Sequence, residues 1–560
     1  MNRVPDRDEV TLAEINSELV TLSGPDDPNL ERYARAEGTI YAPTYVPAFV
    51  TFPTRQRKVE RPLGLKQPIK RDPWLVWLEE MGQKIDFCGP TQLVNMAYEL
   101  LDESFLAPVR SVLGRKPSDN TFLVNLLESL EENSIRCIAW HPYRPILAVA
   151  HRADIIYLYD VKNEAWSTQV LVHEFQKDIT CIEWKPRAGG VLAVGCRNGI
   201  CLWKVNVDPA DAAPPNLGST KTTSTSFFSS PRSPSAFDDT QRSHLASASS
   251  STASTPRAVW MNFLRYPGYV HISTLSWDPS SCSHLLVVGS AVEGTLLVWD
   301  TSVETAVPLR RLGGETAFVK WSPDGAFVFV ASAGRYMRLW ETRTWTSQQF
   351  INPSGKNLKT ACWTLDGRSL FYTLNEEGNI YVLHILKPAP LFECKRMVVY
   401  AASHEPEIVS LSSGRTVSVG GEICQLSIDP VTGERLVVSY EYSNLIAVFL
   451  VRPQAGVVVN QDGWILHSGY IRGPYWADKP IISEPDGESK RDPHAVCMAF
   501  APQFLRGALL AIAWENGALT FVPFCFMSEK AVRERGGSSA ESFRATVPSA
   551  PGFGRGWIET

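Results

Sequence analysis

The chain has 560 residues, 44% of them hydrophobic and 20% charged, a balance that buries a real core and excludes a chain disordered throughout. A formal net charge of −5 gives no broad pull toward nucleic acid or anionic lipid. No apolar stretch approaches the roughly 18–20 residues of a spanning helix. The richest, Ala508 to Trp514, is far shorter, and Met1 to Val10 is too polar for a signal peptide, so no membrane insertion is expected. Eleven cysteines without a CxxC pair fit reduced thiols in the cytosol or nucleus.

In chain order, residues 1–55 are an extended segment and residues 56–130 a basic linker with a helical region. The basic residues Arg55, Arg57, Lys58, Arg61, Lys66, Lys70 and Arg71 suit a solvated linker, an import signal or a contact with an acidic partner. Helical spacing then recurs at Trp74, Trp77, Leu78, Met81 and Ile85, and at Leu93, Met96, Ala97, Leu100 and Leu101. A third set is Leu123, Leu126, Leu127 and Leu130. Such periodicity predicts packing against a neighbouring domain more often than a free partner site.

From residue 131 to 527 one element repeats seven times: a short apolar strand ending in a large residue, then a turn carrying Pro or Asp-Gly. The marks are Trp140, Trp184, Trp277, Trp321, Trp363, Ile428 and Phe500. Each copy continues into a second apolar strand, such as Ile146–Ala150 or Leu285–Gly289. A third strand ends near an aromatic, as at Trp203, Trp299-Asp300 and Trp340. Asn198-Gly199, Glu293-Gly294, Glu377-Gly378 and Asn516-Gly517 supply hairpin turns. Inner strands that are apolar on both faces belong to sheets stacked on both sides. One such sheet cannot bury its own faces, and a ring closes the edges. The expected fold is therefore all-β, a seven-bladed WD40-type β-propeller with an α-helical N-terminal region.

Successive marks lie 44, 93, 44, 42, 65 and 72 residues apart, so a plain blade takes about 43. The long gap holds a Ser/Thr-rich insert, 208–257, whose composition predicts disorder. Within it Ser230, Ser233 and Thr255 each precede Pro and are candidate proline-directed phosphorylation sites; a passive spacer explains them equally well. Extra loops are expected near 385–420 and 453–490, and a disordered tail over 528–560. The last repeat lacks a fourth strand, which Glu9–Leu12 or Tyr45–Phe52 could supply from the N-terminal segment.

No catalytic, cofactor-binding or metal constellation stands out. GxSxG, P-loop, HExxH and EF-hand patterns are missing. His141, before Pro142, is expected to face solvent. Cys137, Cys181 and Cys497 share the position three before the mark, which reads as a small buried strand residue. Cys196 and Cys201 lack partners at zinc spacing. The expectation is a protein that is not an enzyme, with no cofactor, small-molecule substrate or direct nucleic-acid partner.

The repeats resemble the WD family, although the Trp-Asp dipeptide survives cleanly only at Trp299-Asp300 and the Gly-His dipeptide is missing, which puts the family's buried tetrad in doubt. The series resembles, more narrowly, the aladin family of WD-repeat nucleoporins. The residues that carry this are Glu9–Leu12 with Glu18–Thr21, Val298–Pro308, Trp321–Gly325, Arg338–Glu341 with Trp345, and Phe500–Gly517. That resemblance implies a scaffold at the nuclear pore complex of the nuclear envelope, held by an integral pore-membrane nucleoporin and other pore components. It also implies roles in protein import and mitotic spindle assembly, with spindle-pole and cytoplasmic pools. The alternative is a generic WD adaptor, such as a ubiquitin-ligase substrate receptor or coat component.

Overall fold

In the computed structural model the described residues are 4–6, 9–23, 27–35, 40–47, 121–206 except 168, 257–452, 463–473 and 493–527. Short gaps at 310–313, 353, 388–391, 412 and 442 interrupt the range 257–452. The chain divides into two compact units, residues 1–46 with 127–560, and residues 47–126. The first contains the propeller.

Seven sheets follow one another. Six have four antiparallel strands, and their inner strands are Ile135–Trp140, Cys181–Trp184, Ile272–Trp277, Thr316–Trp321, Leu358–Trp363 and Ile423–Ile428. The seventh is built on Ala495–Phe500, Gly507–Trp514 and Ala518–Cys525. Inner strands touch their successors all the way round, and Ala495–Phe500 meets Ile135–Trp140 to close the ring.

The second strands show why no blade stands alone. In Ile146–His151, Leu147 and Val149 join an apolar cluster with blade seven, while Ile146, Ala148 and Ala150 join one with blade two. Val287 and its neighbours Leu286 and Val288 split in the same way between blades four and two. Each of the seven clusters therefore spans two successive blades. Alternation of side chains across a strand, combined with apolar residues at every position, produces this two-sided packing.

In six blades the inner strand carries a bulge at one shared place, between residues such as Ile135 and Cys137, Ile272 and Thr274, or Ala495 and Cys497. A bulge sharpens the local twist and re-aims the side chains beyond it. The residue after it is the one three before the mark.

Two expected loops contain strands. Region 385–420 holds the outer strand of blade five, Glu393–Tyr400, and a separate hairpin, Glu407–Ser410 with Thr416–Val419. Region 453–490 holds the outer strand of blade six, Ile465–Arg472. Their polar, alternating sequences are those of edge strands with one wet face, which an apolar-run criterion passes over. Helix Thr121–Glu132 carries Leu123, Leu126, Leu127 and Leu130. The other two helical patterns, the basic cluster and the tail lie outside the described residues. So does the insert, although Arg257 itself begins the outer strand of blade two.

Ring closure uses two pieces of the N-terminal segment. Val10–Ile15 runs parallel to Ala518–Cys525, pairing Glu14 with Phe524 and Ile15 with Cys525. It turns back as Glu18–Leu22. Further along the same edge, Thr44–Tyr45 pairs antiparallel with Ala518 and Leu519.

Candidate functional site

The repeat marks converge on the seams between blades. Each is the last residue of an inner strand and faces the preceding blade. Trp184 Nε1 donates to the Ala139 carbonyl of blade one at 3.1 Å, and Trp277 Nε1 to Glu183 O of blade two at 3.2 Å. Trp363 Nε1 reaches Lys320 O at 3.3 Å, and Trp140 Nε1 closes the ring to Ala499 O at 3.0 Å. In every case the acceptor is the carbonyl just before the preceding blade's own mark. A buried indole N–H needs a partner, and this register supplies one without any side chain.

The exceptions are handled differently. Trp321 turns its N–H onto Gly325 O at 3.1 Å, and its seam is joined instead by Thr274 and Ser276, whose hydroxyls accept the backbone N–H of Val319 (3.2 Å) and Trp321 (3.0 Å). Ile428 and Phe500 have no indole. Across the seam before Phe500, Gln425 accepts the Met498 N–H at 2.7 Å and donates to the Met498 carbonyl at 3.1 Å. Gln425 is the position three before its mark, the same position that Thr274 and the three cysteines hold.

Those cysteines face the following blade. Cys497 is buried, Cys137 and Cys181 partly so. Burial pushes the thiols of Cys181 and Cys497 up to about 12, which leaves them as protonated packing groups. Cys196 and Cys201 sit together, Sγ to Sγ 4.0 Å, and both are buried. Among the described residues no group of three His, Cys, Asp or Glu side chains could hold a metal ion.

The third-strand tryptophans Trp203, Trp299 and Trp340 are buried, and of these three Trp203 makes a polar contact, donating to Gln176 Oε1 at 2.8 Å. Trp299 Nε1 and Trp340 Nε1 have no partner among the described residues. Asp300 turns outward and accepts from Ser302 N at 2.9 Å and Ser302 Oγ at 2.6 Å, bonds that hold its carboxyl below the usual range. It closes the turn to the outer strand rather than entering a buried tetrad. Glu341 does the same for Arg343 and Thr344.

His141 corrects the sequence reading. It is 2% exposed rather than solvent-facing, because the Trp184 ring of the next blade lies over it at 4.8 Å. Its Nδ1 accepts the Tyr143 N–H at 3.1 Å, so the imidazole is held neutral, and burial lowers its pKa to about 3. Ser230, Ser233 and Thr255 lie outside the described residues.

Sequence reasoning missed the lock on the closing segment. Glu14, fully buried, receives Arg435 Nε at 2.8 Å and Nη2 at 2.7 Å from the second strand of blade six. Arg435 also donates to Ser17 Oγ and lies 4.0 Å from the centre of the Phe526 ring. Burial outweighs the guanidinium here and raises the carboxyl's pKa. Nearby, Thr11 Oγ1 accepts the Arg472 N–H at 3.0 Å. Gly469 leaves room for Leu19, since a Cβ there would sit 2.7 Å from Leu19 Cδ1. The closing hairpin is thus bolted to blade six as well as paired with blade seven.

This ring of seven stacked sheets, six of them four-stranded, defines a WD-type β-propeller. Residues 308–341 match the family described as "WD domain, G-beta repeat", and residues 118–187 match the "Anaphase-promoting complex subunit 4 WD40 domain". The chain is 25% identical over 537 residues to Aladin of Arabidopsis thaliana, covering 94% of this chain and 99% of that protein. Shorter matches are to Protein Rae1 of Drosophila melanogaster, 33% identical with 12% of this chain and 21% of that one covered, and to WD repeat-containing protein AAC3 of Dictyostelium discoideum, 24% identical with 20% and 22% covered. The chain is an aladin-family relative.

Proposed function

We propose that this chain is a non-enzymatic scaffold nucleoporin that docks proteins at the nuclear pore complex and supports protein import. The observation that carries the reading is the match to Aladin over 94% of this chain and 99% of that protein. Two structural features are consistent with it. Seam polar groups are spent on blade-to-blade bonds, and the buried thiols and imidazole are held in their neutral forms. A propeller so built offers faces, rim and hairpins for protein contacts. No helix among the described residues is long and apolar enough to cross a membrane, so attachment at the envelope would come through an integral pore-membrane nucleoporin. A role at the spindle or its poles in mitosis, and a cytoplasmic pool, belong to the same proposal.

Imaging of a fluorescently tagged full chain tests it. A smooth nuclear rim in interphase is the expected result, with spindle signal in mitosis. Diffuse or vesicular signal would instead favour a generic WD adaptor, a reading to which the match at residues 118–187 lends some weight. Pull-down of the pore-membrane partner with chains lacking residues 47–120 or 528–560 then locates the anchor.

A further inference from the structure

Between blades five and six the chain makes a hairpin that belongs to no blade. Glu407–Ser410 pairs with Thr416–Val419, and these two strands form a sheet of their own. The inner strand leans on blade six, where Ser443 Oγ donates to Ser418 O at 2.7 Å. The other edge, along Glu407–Ser410, pairs with no strand among the described residues. Ile408 on it is 72% exposed, the most exposed large apolar side chain of the described residues.

The hairpin's base is held against neighbouring turns. A Cβ on Gly378 would lie 2.3 Å from Ser403 O, and one on Gly421 3.5 Å from Pro406. These contacts place the turns that carry Glu377 and Glu422, from two blades, beside the hairpin's base. Glu376 and Glu377 share Lys356, at 3.9 and 3.8 Å, and Glu422 and Glu441 share Lys359, at 3.5 and 3.6 Å. Glu405 and Glu407 add exposed charge beside the open edge. Carboxylates outnumber the cations Lys356, Lys359 and Arg415 on this surface.

An open edge carrying an exposed Ile is a template for a further strand, and proteins normally blunt such edges with lysine or proline. Here the flanking charge is acidic instead. We propose that Glu407–Ser410 is a docking edge that accepts an extended, basic peptide segment of a partner protein as a third strand. Main-chain bonds along the edge would supply affinity, Ile408 would pack under an apolar side chain of the segment, and the surrounding glutamates would select lysine or arginine at alternate positions. The proposal is independent of where in the cell the protein resides.

The test uses the full-length chain and two short fluorescent peptides, one alternating valine with lysine and one alternating valine with glutamate. Anisotropy should show saturable binding of the lysine peptide, at least tenfold tighter than the glutamate peptide and weakened by added salt. Ile408→Lys combined with Glu407→Lys should weaken it at least fivefold with the unfolding midpoint unchanged, since both side chains are exposed. Backbone N-methylation of alternate peptide residues should abolish binding, and hydrogen exchange should slow in Glu407–Ser410 when the unmodified peptide is bound. Equal binding of the two peptides, unchanged binding by the double variant, or protection appearing elsewhere on the propeller would each overturn the proposal.

Discussion

The buried tryptophans differ in what their indole N–H does, and that difference is measurable. Trp184 bonds the Ala139 carbonyl, whereas Trp299 Nε1 has no partner among the described residues. Replacing either by Phe removes similar apolar volume, but only Trp184→Phe also removes an indole bond across the seam to a buried carbonyl, a bond worth about 0.5–1.5 kcal/mol. Urea unfolding should therefore show Trp184→Phe more destabilised than Trp299→Phe by about that amount; equal losses would count against the seam bond. His141 gives a second test. Its folded pKa is depressed to about 3, so between that value and the usual 6.5 the unfolded chain binds the extra proton. Its contribution is fully present above pH 6.5 and drains away as pH falls toward 3, at roughly 1.4 kcal/mol per unit. His151, His271, His384 and His467 are also lowered by burial, so the useful quantity is a difference. Between pH 7 and 5, His141→Phe should lose less stability than the native chain, and parallel profiles would refute the assignment.

At the scale of the element, the closing segment shows best which parts of the fold the residues announce. The mark and its turn recur because the blades share one way of ending the inner strand, and four of them share the same indole seam donor, so the repeat is plain in the chain. The acceptors are backbone carbonyls, and no side-chain pattern reveals them. Gln425 replaces a tryptophan's function from a different position, so it looks like an ordinary polar residue. For closure, Glu9–Leu12 and Tyr45–Phe52 both looked suitable; the chain uses Val10–Ile15 and Thr44–Tyr45, because the edge of Ala518–Cys525 is covered in two parts. Alternation cannot tell a parallel strand from an antiparallel one, and a Glu14–Arg435 pair 421 residues apart has no local signal. The hairpin at Glu407–Val419 was hidden by its Ser and Gly content, and the burial of His141 by a ring from another blade. The buried ion pair carries its own prediction. Glu14→Leu takes away the buried carboxyl that faces Arg435, leaving the guanidinium with Ser17, the Phe526 ring and a 3.7 Å contact to Glu434. It should cost up to about 3–5 kcal/mol, while adding Arg435→Met should restore most of the loss. A single variant as stable as the native chain would show that the lock contributes nothing.

For the whole molecule, closure makes stability a property of the ring, since every apolar cluster is shared by two blades and the last blade depends on residues from the other end of the chain. Segments that enter and leave at one point of the ring should then be dispensable for folding. The long insert of blade two meets this condition: Asn206, where the third strand ends, pairs directly with Arg257, where the outer strand begins. Residues 208–256 therefore close a loop whose ends are already held together by the ladder. Replacing them with a short Gly-containing turn leaves every pairing from Asn206–Arg257 to Ile200–Leu264 available. Loop-closure entropy changes by about 0.6 kcal/mol per doubling of length, so shortening this loop several-fold should add about 1–2 kcal/mol of stability. The thermal unfolding midpoint of the shortened chain is expected to equal or exceed that of the native one, with a single cooperative transition. A marked fall in the midpoint, or a second transition, would mean that residues 208–256 contribute packing to the ring, and the reading of the insert as a segment outside the fold would have to be abandoned.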